Sequence, residues 1–533
     1  MRFYLTDQLA GERRITYALF LRLMGLVYFC AFISLVFQIE ALLGDHGISP
    51  AAEYLAAVKG SNGALSYLGC PTLLWLAPST TGLYALTIAG SIMALCLMAG
   101  ILPWACCILL YVFYLSITSV GQEFLSYQWD MLLLQAGFLA IIVSLIKPER
   151  DRVFSALVTF FLFYLNFRLM FSSGMCKLAS GDTTWSNLTA LSYHFFTQPL
   201  PTPLAIVANA MPLPLSKFVC FLTLAIEIGA PFLIFLPRIA RLCGFVLLLF
   251  LQLAIMLTGN YGFFNLLSIV VMVPLLDDAF LKQPIWKKLL REKCFESVCR
   301  LGGVLKLTQP AVEKTTKSDL SHQRRLPPPR LFVAAPLAAL VAFNCLSDFS
   351  GRLTYELLPV PLTFIRAFSQ TFGISNSYGL FAVMTVERPE IIVEGSDDGV
   401  NYKAYQFKYK VSRPDQAPSI VAPMQPRLDW QMWFESLNAT YGEPYSPIKG
   451  LNPNPSTWFV KFLVKLSEND PAVTNLLAVN PFAAPNKPPK FVRARVVNYT
   501  MVSPVEFLET KRWWKTTDIG TYFPGVRDAK NQD

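Results

Sequence analysis

Residues 131–152 read MLLLQAGFLAIIVSLIKPERDR. The run up to Ile146 carries no charge, and the six residues after it are almost all charged. An apolar helix of that length crosses most of a hydrocarbon core about 30 Å thick. Lys and Arg gathered at its end mark the side that stays in the cytosol. Comparable apolar segments fall at roughly 15–43, 79–99, 101–120, 153–171, 215–236, 242–258, 262–276 and 331–346. The chain therefore reads as a polytopic α-helical membrane domain of about eight or nine transmembrane helices, followed by a soluble region. Arg13 and Arg14 precede a first apolar run too long for a signal-peptide core, so that run reads as a helix and no cleavable leader is expected.

The connections alternate in charge. Lys147–Arg152, Pro237–Arg241 and the loop 277–330 are basic, the last with Lys282, Lys287, Lys288, Arg291, Arg324 and Arg325. The connections 44–78, 121–130, 172–214 and 259–261 contain no Lys or Arg except Lys59 and Lys177. The first set is expected inside and the second outside. An odd number of crossings then places residues 347–533 outside as well. The expected domains are a transmembrane region 1–276, a basic cytosolic linker 277–330, a last membrane helix 331–346 and an outer domain 347–533. Of the 533 residues, 15% are charged against about 25% in soluble domains. The net charge of +10 thus follows membrane orientation, and no nucleic-acid partner is expected.

The outer region changes period. Residues 389–399 and 401–410 read as strand, Asp-Gly turn, strand, and 491–499 as another strand. Asp429–Asn438 and Thr457–Glu468 read as short amphipathic helices, giving a β-sandwich-like domain with a helical insertion. All eleven cysteines precede residue 346, so this domain holds no internal disulfide.

Nucleophile-elbow, metalloprotease, phosphate-loop and dinucleotide signatures are absent. Of three histidines, His46 and His194 fall on outer loops and His322 in the linker; no metal and no cofactor is expected. Asp130, Lys177, Asp182, Trp185, His194, Gln198 and Pro199 gather on the expected outer face, with the soluble domain. Polar residues collect wherever loops meet water, and Trp often marks an interface. The functional reading is that these residues, together with Arg427, Asp429, Trp430 and Trp433, seat the soluble domain or contact a client protein. Trp430, Trp433, Phe434, Trp513 and Trp514 offer aromatic surface for such a client. Glu227 lies near mid-helix and requires a partner or a proton. Sequons at Asn187, Asn438 and Asn498 are all on the expected outside, where glycosylation is possible.

Several ordered segments carry a resemblance: Tyr127-Gln-Trp-Asp-Met-Leu-Leu-Leu-Gln-Ala-Gly-Phe138, Ser180-Gly-Asp-Thr-Thr-Trp185, Thr197-Gln-Pro-Leu-Pro-Thr-Pro203, Gly259-Asn-Tyr-Gly-Phe-Phe-Asn-Leu-Leu267, Asn376-Ser-Tyr-Gly-Leu-Phe381, Arg427-Leu-Asp-Trp-Gln-Met-Trp-Phe434 and Asn480-Pro-Phe482. Together they resemble the lipase maturation factors, polytopic proteins of the endoplasmic reticulum membrane. Gln135 stands where that family's pattern has an acid, and Ser192-Tyr-His-Phe-Phe196 departs from it. The resemblance implies a folding or maturation factor, not an enzyme, with a secreted, homodimeric lipase or another client as partner and the lipid bilayer around it. It also implies a lumenal C-terminal domain, periplasmic if the source is prokaryotic. A more distant resemblance, to the vitamin K-dependent carboxylase group, rests on the order Arg168, Lys177, Trp185 and implies an enzyme with Lys177 as base and His194 nearby.

Overall fold

A computed structural model describes residues 12–283, 329–349, 360–442, 446–447, 450–483 and 487–527. Of the expected linker 277–330, residues 284–328 lie outside the described residues, His322 among them; Asp278–Leu281 is a short helical turn and residues 329–330 begin a helix. Among the described residues, six helices are long and apolar enough to cross a membrane: α1 (Arg14–Val36), α2 (Thr80–Ala99), α4 (Gln128–Leu145), α5 (Arg152–Ala179), α6 (Leu213–Leu233) and α7 (Arg238–Thr258). Shorter apolar helices occupy the remaining expected segments: α3 (Pro103–Ser119), α8 (Phe264–Met272) and α9 (Pro329–Phe349). Each expected apolar segment is thus helical.

The connections sort onto two faces, as their charges suggested. On one face Arg13 donates to the carbonyls of Pro274 and Leu276, both at 2.6 Å. Asp278 accepts from the N–H groups of Ile15 and Thr16, and Asp277 pairs with Arg238 at 2.7 Å and Arg241 at 3.3 Å. The first turn of α1 and the basic connections 237–241 and 277–283 therefore form one cluster. The opposite face carries the soluble domain, and every sparsely charged connection reaches it. Glu53 pairs with Lys461, Phe124 accepts from Arg427, Asp182 from Met384, and Asn260 from Val421.

The domain boundary is less sharp than the apolar pattern suggests. Beyond α9, helix α10 (Val360–Thr371) packs back on it through Asn344 and Ser369, at 2.9 Å. Residues 372–379 then run along α4 within the bundle. Tyr111 donates to the Phe372 carbonyl, Asn376 to that of Met131 at 3.2 Å, and Gln128 accepts from the Gly379 N–H at 3.2 Å. Tyr378 donates to Gln135, and Arg168 to the Asn376 carbonyl. Gln135, the departure from the family pattern, thus meets a tyrosine of the returning segment.

The soluble domain is built on an antiparallel four-stranded sheet in the order β2-β1-β7-β8, formed by β1 (Pro389–Ser396), β2 (Lys403–Ala404), β7 (Phe491–Met501) and β8 (Trp514–Arg527). Two short pairs flank it: β3 (Gln406–Phe407) with β6 (Leu477–Val479), and β4 (Tyr441–Gly442) with β5 (Ser446–Pro447). In β7, Val492, Ala494 and Val496 are fully buried while their neighbours are half-buried, the period-two pattern of a one-sided strand. Helices α11 (Arg427–Thr440) and α12 (Thr457–Ser467) supply the layer over the sheet, with Ser436 accepting from Ile391 N–H at 3.2 Å and Glu435 from Tyr522 at 2.7 Å. The expected second strand, 401–410, is broken in two. Asp429 captures the N–H groups of Tyr409 and Lys410, at 2.9 and 2.8 Å, and turns the chain away from the ladder.

Candidate functional site

The candidate site is the seam where the soluble domain meets the bundle. Pro426 precedes α11 and makes Arg427 its first residue, while Asp130 occupies the first turn of α4, where the helix dipole favours an acid. Both side chains are fully buried. Arg427 Nη1 lies 3.0 Å from Asp130 Oδ2 and Nη2 lies 2.8 Å from Oδ1, the two parallel bonds that a planar guanidinium makes to a carboxylate. Nη1 also donates to the Phe124 carbonyl at 2.7 Å, and Tyr114 donates to Asp130. Burial alone would lower the Arg427 pKa, but the adjoining Asp130 carboxylate outweighs it and holds the pKa above its ordinary value. The backbone N–H of Arg427 donates to Gln38 at 2.8 Å, so the turn that follows helix α1 shares the joint.

A second buried cation reaches the other way, into the proline-rich loop. Arg388 donates to the carbonyls of Phe196 at 2.8 Å, Pro199 at 2.9 Å and Gln198. Glu390 neutralises it at 2.7 Å and also pairs with Lys410 at 2.8 Å. Trp433 donates to the Thr197 carbonyl at 2.9 Å. Pro199, Pro201 and Pro203 cannot extend a helix, so the carbonyls stay free to accept. Gln198 donates to the Thr258 carbonyl and accepts from Tyr261, both at 2.8 Å. Asp182 uses one oxygen to cap Thr184 at 2.7 Å and the other to accept from Met384 N–H at 2.6 Å, and Trp185 donates to the Phe381 carbonyl at 3.0 Å. Gly262 has a positive φ, and a side chain there would strike Gln425 of the docked domain.

The expected site residues therefore fall into three groups. Asp130, Asp182, Trp185, Gln198, Pro199, Arg427 and Trp433 make contacts across the seam or build the loop that makes them. Asp429 works within the soluble domain, holding the turn at 409–410. Lys177 and His194 line a cavity beneath the seam. Lys177 Nζ stands 2.8 Å from both carboxylate oxygens of Glu227, so Glu227 has its partner and the two charges are buried together. With the Ser173 carbonyl at 3.2 Å, all three donors of the ammonium are engaged. The Trp185 ring lies 5.4 Å from Nζ. His194 Nε2 is 3.2 Å from the Tyr261 hydroxyl. Burial first, and the Lys177 charge second, push the His194 pKa down to about 4, so its imidazole is neutral near pH 7.

The aromatic client surface requires correction. Trp430, Trp433 and Trp514 are buried, and Phe434 and Trp513 are half-buried. Trp430 packs edge-on against Trp129 at 4.8 Å and tilts over Tyr261 at 5.9 Å, because docking removes its face from water. Among the sequons, Asn187 is exposed at the end of a short helical turn. Asn438 is engaged with Asn454 and Tyr522, and Asn498 sits in β7, accepting from Arg388 N–H.

Sequence reasoning missed Arg388, Asn260 and Gln38. Asn260 donates to Ser419 at 2.7 Å and accepts from Val421 and Ala422, and Gln38 donates to the Gln425 carbonyl at 2.8 Å. The run Arg388-Pro-Glu390, opposite charges around a proline at a strand start, was the available signal for the first. For the two amides no local pattern announces a partner.

Comparison with known proteins bears on both domains. Residues 15–283 match a family described as the lipase maturation factor transmembrane domain, and residues 374–524 match its C-terminal domain. The chain is 33% identical to lipase maturation factor 2 of Gallus gallus, over 95% of this chain and 81% of that protein. It is 33% identical to lipase maturation factor 2 of Homo sapiens, over 97% of this chain and 83% of that protein. Against lipase maturation factor 1 of Bos taurus it is 31% identical, over 97% of this chain and 89% of the relative. No solved structure matches. These matches give the carboxylase-like reading no support.

Proposed function

Because this chain belongs to the lipase maturation factor family and is a multi-pass membrane protein, we propose that it works in the endoplasmic reticulum membrane on a secreted lipase. In this reading the soluble domain faces the lumen and the protein helps a homodimeric lipase, or a client like it, reach its folded and assembled state. The observation that carries it is the seam. Arg427 and Arg388 fix a β-rich domain to the bundle from two sides, so that the outer face is presented to a client as one body. An ordered surface suits a folding factor, because it binds a client's transient apolar surface at a lower entropic cost than one that must first order itself. The exposed apolar side chains Val505 and Leu508, on one face of the short helix α13 (Pro504–Thr510), are a candidate contact on that surface. Asn187, the exposed sequon, is the expected glycan acceptor, so an Asn187→Gln chain should lose one endoglycosidase-sensitive mobility shift.

The test is co-expression with a dimeric secreted lipase in cells lacking their own maturation factor. Lipase specific activity and dimer fraction in the medium should rise with the wild-type chain. They should fall back with Arg427→Ala at equal chain abundance. If the lipase is equally active with and without the wild-type chain, the proposal fails.

A further inference from the structure

Beneath the seam lies a cavity of about 280 Å³, near the lower limit of ligand pockets at roughly 300 Å³. It is bounded by α5, α6 and α7. Helices α6 and α7 close on each other toward their inner ends, where a Cβ added to Gly244 would lie 3.1 Å from Leu233 Cβ and 3.2 Å from the Ala230 carbonyl. Toward their outer ends the cavity comes between them. Val219 and Thr223 of α6 and Ala254 and Ile255 of α7 line it and are half-buried. Phe218, Phe221, Leu253 and Leu257 of the same two helices are exposed on the apolar surface that meets lipid. Hydrocarbon therefore lies directly outside the wall that α6 and α7 give the cavity.

The chemistry of the walls narrows the occupant. The charges are already matched, Lys177 with Glu227. Gln252 accepts from Asn265 at 2.8 Å, and Tyr261 donates to Gln198 at 2.8 Å. Among the described lining side chains His194 Nδ1 is buried without a hydrogen-bond partner, a single neutral ring nitrogen too little to hold a headgroup, and an anionic headgroup would meet an ion pair that is already neutral. An alkyl chain satisfies the rest of the lining by contact alone. Water is a poor filler for an apolar chamber of this size.

We propose that the cavity takes one acyl chain of a phospholipid from the leaflet on the soluble-domain side, entering sideways between α6 and α7 with its headgroup left at the interface. Its roof includes Trp185 and Phe381, which are hydrogen-bonded to each other as part of the seam. Occupancy thereby braces the platform on which the soluble domain sits, since a ligand that binds only the docked form stabilises it by mass action. The inference does not depend on a lipase client.

The test reconstitutes the full chain in phosphatidylcholine vesicles containing phosphatidylcholine with a diazirine at the end of one acyl chain. After irradiation, labelled residues are mapped by mass spectrometry. Labelling should concentrate on the cavity-lining residues of α6 and α7. An indole placed in the chamber by Thr223→Trp or Ala254→Trp overpacks it and should lower that labelling on the order of fivefold or more. Phe218→Trp, on the lipid surface, should leave it unchanged. Even lipid-facing labelling of the wild-type chain overturns the proposal without reference to any variant. So does undiminished cavity labelling of a monodisperse Thr223→Trp or Ala254→Trp protein. A parallel arm uses a diazirine fatty acid: cavity labelling by it and not by the phospholipid makes the source a free fatty acid and sinks the phospholipid assignment.

Discussion

The pairs Arg427–Asp130 and Lys177–Glu227 both close at 2.8 Å, in different surroundings. The first joins residues 297 positions apart and contains no exposed side-chain surface. It is a fork on a carboxylate, with the Phe124 carbonyl and the Tyr114 hydroxyl attached. The second joins neighbouring helices of one bundle, retains 7% and 9% exposure, and borders a cavity. Its cation is a point charge on a flexible stem. Enclosure and extra partners make the first pair a joint whose loss cannot be repaired locally. The second has room to adjust.

Four measurements break or sharpen that contrast. The largest effect belongs to Arg427→Ala, which strands a buried carboxylate and should cost about 3–5 kcal/mol. Limited proteolysis should then release the soluble domain. Arg427→Lys should recover only part of the protection, because an ammonium cannot make the fork and reach the Phe124 carbonyl together. Full protection in Arg427→Lys would show that charge alone holds the joint.

Next comes Lys177→Met, which should cost roughly 2 kcal/mol, below the range of fully enclosed pairs. The double variant Lys177→Met with Glu227→Leu should return close to the wild-type midpoint of thermal unfolding in detergent. The matching double, Arg427→Met with Asp130→Leu, should not, since Phe124 and Tyr114 stay without their donor or acceptor. Equal recovery of both doubles would erase the distinction.

Trp433→Phe removes the hydrogen bond to the Thr197 carbonyl and part of the buried indole's packing, an expected loss of about 1–2 kcal/mol. A loss above that of Arg427→Ala would place more of the seam's stability in the proline-rich loop than in the Arg427 joint.

At neutral pH the smallest effect is that of His194, which emerges only in acid. The His194 pKa is depressed to about 4, so the stability its neutral form contributes is present above its unfolded value near 6.5 and lost as pH falls toward 4. The wild-type midpoint should decline over that window, and His194→Phe should flatten the decline. An identical pH profile for the two proteins would remove His194 from the account.

The candidate site was partly legible. Asp130, Asp182 and Trp185 stand out because charged or aromatic residues on sparsely charged outer loops are conspicuous beside apolar helices, while Gln198 and Arg427 stand out through the segments 197–203 and 427–434 that carry the family resemblance. Reading Trp430 and Trp433 as client surface, when they pack at the seam, has the same source. A short amphipathic helix shows an apolar face, but its pattern is the same whether a client or the protein's own bundle covers that face. Glu227 announced a need for a partner, yet its spacing could not say that the partner is Lys177, fifty positions away.

Length, apolar periodicity and the Lys and Arg bias of the connections are local or summed properties, and they settled by themselves where the helices run and which loops share a face. The broken strand at 401–410, the segment 372–379 lying along α4, and the burial of Arg388 and Arg427 were decided only by the tertiary structure. Each depends on two separately readable regions docking in one register. A charge read along the chain carries no record of the carboxylate, or the row of carbonyls, that docking brings to it.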